Sequence, residues 1–141
     1  VNGADKIIIQ QGINDIIHPV GTDVNPFRPM SDLPTADELI KGIEEYCKIA
    51  YKNNIRPFVG TLLPIYGWRT YADFRGKIRG NVNEWIRSSS EFEQCIDFDK
   101  ALRDDHNKLM FSNGYDSGDH LHPSEKAYEV MADIVLPSII K

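Results

Sequence analysis

The sequence predicts a single α/β domain over residues 1–141, a parallel sheet with helices on both of its faces. Three observations predict it. Lys6-Ile7-Ile8-Ile9-Gln10 is a β-branched run of the length of a buried strand. Thr35 to Leu63 reads as an amphipathic helix followed at once by a second apolar strand. Such a crossover makes neighbouring strands parallel and right-handed. Strand and helix patterns then alternate to the end, giving the order β-α-β-α-β-α without internal repeats.

The first strand runs into Gln11-Gly12-Ile13-Asn14-Asp15, and His18 to Pro34, with four prolines and Gly21, cannot be a regular element. Loops of this length often form binding walls, and Phe27, Arg28 and Met30 could line an acyl or sugar pocket; self-packing of the loop serves equally well. Thr35-Ala36-Asp37-Glu38 is a capping box that starts a helix. Leu39, Ile43, Tyr46, Cys47 and Ala50 recur at helical spacing and should face the sheet, leaving Glu44, Glu45, Lys48 and Lys52 outward. The strand around Phe58 and Val59 follows and stops by Pro64.

From Thr70 to Arg87, Tyr71, Phe74, Ile78, Val82 and Trp85 step by three and four, predicting a second helix in which Gly76 and Gly80 mark a break or a close contact. The basic residues there, Arg69, Arg75, Lys77, Arg79 and Arg87, read as a solvated face. Cys95 to Asp99 is a short strand, and Lys100 to Met110 a helix or turn. Ala127, Val130, Met131, Ile134 and Val135 pattern a last helix that Pro137 should kink or end.

The 41% hydrophobic and 26% charged composition is that of a globular chain, and 141 residues suffice for a core. A net charge of −5 and a pI near 5.3 argue against a nucleic-acid partner. No apolar run approaches the roughly 20 residues of a membrane span. Cys47 and Cys95 have no metal-ligand spacing and read as buried free thiols.

Two stretches carry chemistry. In Gly118-Asp119-His120-Leu121-His122-Pro123-Ser124 a carboxylate precedes a histidine by three residues. A short loop can fold Asp119 onto one ring nitrogen of His122 and leave the other free to accept a proton. Pro123 would occupy the first turn of the helix that follows. The plain alternative is a solvated helix start with a capping Asp and two surface histidines. The second stretch, Gly12-Ile13-Asn14-Asp15, leaves the carboxyl end of the first strand, where open α/β sheets bind ligands. There the Asn14 amide either donates to a developing oxyanion or serves its own turn.

Together these stretches resemble the SGNH hydrolases, the GDSL-type esterases and lipases. Gly12-Ile13-Asn14-Asp15 is similar to their Gly-x-Asn-Asp block and Asp119-His120-Leu121-His122-Pro123 to their closing Asp-x-x-His-Pro block, in the same order. The family's opening Gly-Asp-Ser block and the glycine block after it are absent. The resemblance therefore implies the carboxyl-terminal part of a three-layer, flavodoxin-like SGNH hydrolase domain, its amino-terminal strands missing. It also implies a serine-dependent carboxylic ester hydrolase without cofactor. His122 would be the base, Asp119 its orienting acid and Asn14 an oxyanion donor, with Gly12 permitting the turn. The nucleophilic serine would lie outside this chain.

Phe27, Tyr66 and Trp68, which follow strand ends on the active edge, are candidate substrate walls, or else surface aromatics that cover the core. The expected substrate is a small-molecule ester: an acetylated carbohydrate, a simple ester or a lipid. A missing neighbour strand would leave one open sheet edge, so self-association or pairing with an amino-terminal piece is expected. Two other classes stay open. One is a non-catalytic binding or structural fragment, and the other is a metal-dependent hydrolase using Asp119, His120 and His122, with His-x-His supplying ligands.

Overall fold

The computed structural model describes residues 3–140. Its elements are β1 (Lys6–Ile9), α1 (Ile13–Ile17), a 3-10 turn (Met30–Asp32), α2 (Ala36–Lys52), β2 (Arg56–Gly60), α3 (Asp73–Ser88), β3 (Gln94–Ile96), α4 (Phe98–Leu102) and α5 (Glu125–Ile139). The three strands form one parallel sheet in the order β1-β2-β3. Ile8 lies opposite Phe58 in the first pair, and Phe58 opposite Gln94 in the second.

Strand alternation divides the core between two faces. Val59 points into a cluster with Ile16, Ile43, Cys47, Val82 and Ile86, which covers one face with α2 and α3. Phe58 and Ile96 point the other way, onto Met131, Ile134 and Val135 of α5. The result is three layers, α/β/α. Gly60 lets the two halves approach: a Cβ there would come within 2.5 Å of the Phe98 ring.

The expected capping box is present. Thr35 Oγ1 accepts from Glu38 N at 3.2 Å, and Thr35 N donates to Glu38 Oε2 at 2.8 Å. Ile43, Cys47 and Ala50 are buried as the spacing predicts, but Tyr46 is exposed. In β1, Ile7 and Ile8 are 42% and 39% exposed, and among the described residues nothing pairs with the outer edge of the strand. The expected open edge is therefore there.

Several expectations need correction. The buried face of α3 is Arg75, Gly76, Arg79, Val82, Asn83 and Ile86. Arg75 and Arg79 thus belong to the interior and not to a solvated face, while Phe74 is exposed. Their guanidinium groups are accommodated because each finds polar partners. Arg75 donates to the carbonyls of Ile16 and Pro19, pinning the start of the long loop, and Arg79 donates to Leu62 O at 3.0 Å. The glycines do not break α3; Gly76 makes room for the Tyr71 hydroxyl, 3.0 Å from where a Cβ would stand.

The third strand ends at Ile96, because Asp97 caps α4 by accepting from Lys100 N at 3.1 Å. The short helix α4 ends at Leu102, well before Met110. In α5 the helix runs on to Ile139 through Pro137. The ring removes only one hydrogen bond there, to the carbonyl of solvent-exposed Asp133, which water can satisfy.

Candidate active site

The carboxyl ends of β1 and β2 are tied together by Gln10 Nε2, which donates to Thr61 O at 2.9 Å. Past that tie the chain reverses at Gly12, whose φ of 119° lies in the left-handed region that a side chain disfavours. The short helix α1 begins immediately, placing Asn14 in its first turn. The Asn14 side chain is exposed and makes no hydrogen bond among the described residues, so its amide is available to a ligand.

The histidine loop is held from within. Asp116 pairs with Pro123 across an antiparallel bridge, and Ser117 N donates to His122 O at 3.0 Å. Inside this turn the Asp119 carboxylate accepts from His122 N at 2.9 Å and Leu121 N at 3.0 Å, and its other oxygen lies 2.6 Å from His122 Nδ1. The backbone N–H and the ring of His122, in that order, hold the Asp119 carboxyl well below the usual carboxylate range, outweighing a small effect of burial. His122 Nε2 is left for another partner. Helix α5 starts two residues later than the sequence suggests, at Glu125. Ser124 is its cap, accepting from Ala127 N at 3.2 Å, and Pro123 stands just outside.

Asn14 and His122, 108 positions apart, line one cleft of about 240 Å³ together with Gln10, Leu62, Leu121 and Met131. No serine lines it. Gly12 stands behind the cleft rather than in it, 3.5 Å from Leu39 Cδ2 as measured from an added Cβ. Trp68 closes on His122 edge-on, with ring centroids 6.4 Å apart. Tyr66 leans on Tyr71 instead, at 4.9 Å. Phe27 is 85% exposed and outside the cleft.

The two histidines of the loop face different carboxylates. His120 Nδ1 lies 2.6 Å from Asp116 Oδ2, and its ring rests on Gly67, where a Cβ would come within 2.8 Å of His120 Cγ. His120 holds a left-handed φ of 64°, secured by its N–H to Asp116 Oδ1 at 2.9 Å. Asp119, His120 and His122 do not converge, and no group of three metal-capable side chains occurs among the described residues.

Behind the site lies a network that sequence reasoning missed. Asp99, 2% exposed, takes Arg79 at 2.7 Å, Arg87 at 2.6 Å and Arg103 at 3.0 Å. Thr61 Oγ1 joins it to the strand end, accepting from Asp99 N at 2.8 Å and donating to Asp97 Oδ1 at 3.1 Å. The available signal was Arg75 and Arg79, four apart and in phase with Val82 and Ile86.

The carboxylate–imidazole pair and the free amide both stand at the carboxyl edge of an open parallel sheet, where α/β folds bind ligands. Residues 2–135 match the model of the GDSL-like lipase/acylhydrolase family, and the chain belongs to that family. A search of curated proteins returns no match. Among solved structures it is similar to a protein from Bacteroides fragilis assigned as an acylhydrolase, with TM-score 0.70, 16% identity, and 96% of this chain and 61% of that one covered. It is similar also to a GDSL-like lipase from Bacteroides thetaiotaomicron, with TM-score 0.68, 15% identity, and 96% and 62% covered. An acetylxylan esterase from Geobacillus stearothermophilus, solved as a catalytic mutant, aligns with TM-score 0.58, 18% identity, and 96% and 59% covered. The chain thus spans about three fifths of the length of these structures. At such identities they speak for the fold.

Proposed function

We propose that this chain carries the acid–base and oxyanion half of a serine-dependent carboxylic ester hydrolase. The carrying observation is the 2.6 Å approach of Asp119 Oδ2 to His122 Nδ1 in a loop that delivers His122 to the same cleft as Asn14. In this reading a serine outside residues 1–141 attacks the ester carbonyl, and His122 Nε2 takes the hydroxyl proton. The Nδ1–H donates to Asp119, which fixes the tautomer and stabilises the imidazolium that forms. The Asn14 amide donates to the tetrahedral oxyanion. As the intermediate collapses, the carbon–oxygen ester bond breaks and His122 returns the proton to the departing alcohol. Water then repeats the sequence on the acyl-enzyme.

The substrate is an ester small enough for a cleft walled by Leu62, Leu121 and Met131 and flanked by Trp68. Replacing each histidine in the intact enzyme tests the assignment. His122→Ala should lower kcat by about 10⁴-fold or more, and His120→Ala should retain most turnover, since its ring is committed to Asp116 and Gly67. The reverse ranking would refute the role of His122.

A further inference from the structure

Beside the cleft, the long loop and the Trp68 turn enclose a second hollow of about 530 Å³, lined by His18, Asn25, Arg28, Trp68 and Arg69 among others. Its charge is unlike that of the rest of the molecule. The chain carries 21 acidic residues and a net charge of −5, yet among the described residues no carboxylate lines this hollow.

Of the seven arginines, Arg56, Arg75, Arg79, Arg87 and Arg103 donate to carboxylates or main-chain carbonyls. The remaining two, Arg28 and Arg69, make no side-chain hydrogen bond or ion pair among the described residues, and both line the hollow. Arg69 lies over the Trp68 ring, 4.7 Å from its centroid, which holds its guanidinium beside the opening. Arg28 is carried by a loop whose turn is fixed where Val20 N and Gly21 N both donate to Arg28 O, at 3.0 and 2.9 Å. A guanidinium presents paired donors that match a carboxylate.

Trp68 links the two sites. It walls the hollow, and its ring meets His122, so a ligand held by the arginines would extend past Trp68 toward the reacting carbonyl. We propose that this hollow binds a carboxylate carried by the ester substrate beyond its reacting carbonyl, for which a uronate saccharide serves as the probe. This inference rests on the esterase reading of the neighbouring cleft.

Binding can be read without turnover. In the intact protein bearing Trp85→Phe, Trp68 is the remaining indole of this chain, and its emission reports on occupancy. A galacturonate trisaccharide should bind at least about tenfold more tightly than a neutral galactose trisaccharide at matched ionic strength. The preference should fall to near parity in Arg28→Gln/Arg69→Gln and survive in Lys48→Gln/Lys52→Gln on the outer face of α2. Equal binding of the two sugars, or a preference that persists without both arginines, would overturn the proposal. So would sodium sulfate competing as well as the uronate at equal concentration, which would mark a generic anion site. The esterase reading fails separately: if His122→Ala kept full hydrolysis while the uronate preference held, the cleft assignment would fall and the arginine site would stand.

Discussion

The loop from Ser117 to His122 and the buried centre at Asp99 both join carboxylates to basic side chains, in opposite settings. In the loop, Asp119 and His122 are three residues apart, half-exposed, and held by the turn's own backbone. At the centre, Asp99 draws Arg79 and Arg87 from α3 across the packed interior or its margin, and Arg103 from one turn along at the end of its own helix. The difference separates chemistry from architecture. On the proposed reading, a group that exchanges protons with a ligand sits on the surface and is positioned locally, whereas the fully partnered buried charge on α4 ties that helix to α3 and to the end of β2.

Breaking each carboxylate in turn tests that division. Asp99→Asn leaves Arg79 buried without its counter-charge and should cost about 3–5 kcal/mol of stability, measured by urea unfolding. Asp119→Asn should cost only about 1 kcal/mol, comparable to a lost cap. A shift under 1 kcal/mol for Asp99→Asn would show that the network is not structural.

Asn14→Ala sharpens the other side. Its free amide should supply about 3 kcal/mol of transition-state stabilisation, a hundredfold or more in kcat, with stability unchanged. Unaltered turnover would remove Asn14 from the chemistry.

A smaller effect concerns pH. The folded Asp119 carboxyl titrates below its ordinary value of about 3.9, so what it contributes to the loop is complete above that value and is lost as pH falls through the lower, folded one. Carbon-detected NMR should find its midpoint below about 3.9, and an ordinary midpoint would mean the pair is open in solution.

The contrast also explains how much the sequence disclosed. Asp119 and His122 were legible because their contact is written in a three-residue spacing, and the Thr35–Glu38 capping box was legible for the same reason. The parallel sheet followed from β-branched runs separated by amphipathic helices. Arg75 and Arg79 were misplaced because helical periodicity counts apolar side chains, and a buried arginine is recognisable only once its partners, here distant carbonyls and Asp99, are known. Asp116 and His120 were hidden by the left-handed turn that brings them together. The arginine pair at Trp68 spans 41 positions, which no local pattern reports.

The central claim, that His122 and Asn14 serve a serine supplied from outside residues 1–141, is tested most directly with a fluorophosphonate probe. The intact enzyme and the isolated chain are each incubated with the probe and digested, and the labelled peptide is sequenced. One labelled serine is expected in the intact enzyme, outside Val1–Lys141, its labelling slowed strongly by His122→Ala, and no label on the isolated chain. A labelled serine between Val1 and Lys141 would contradict it.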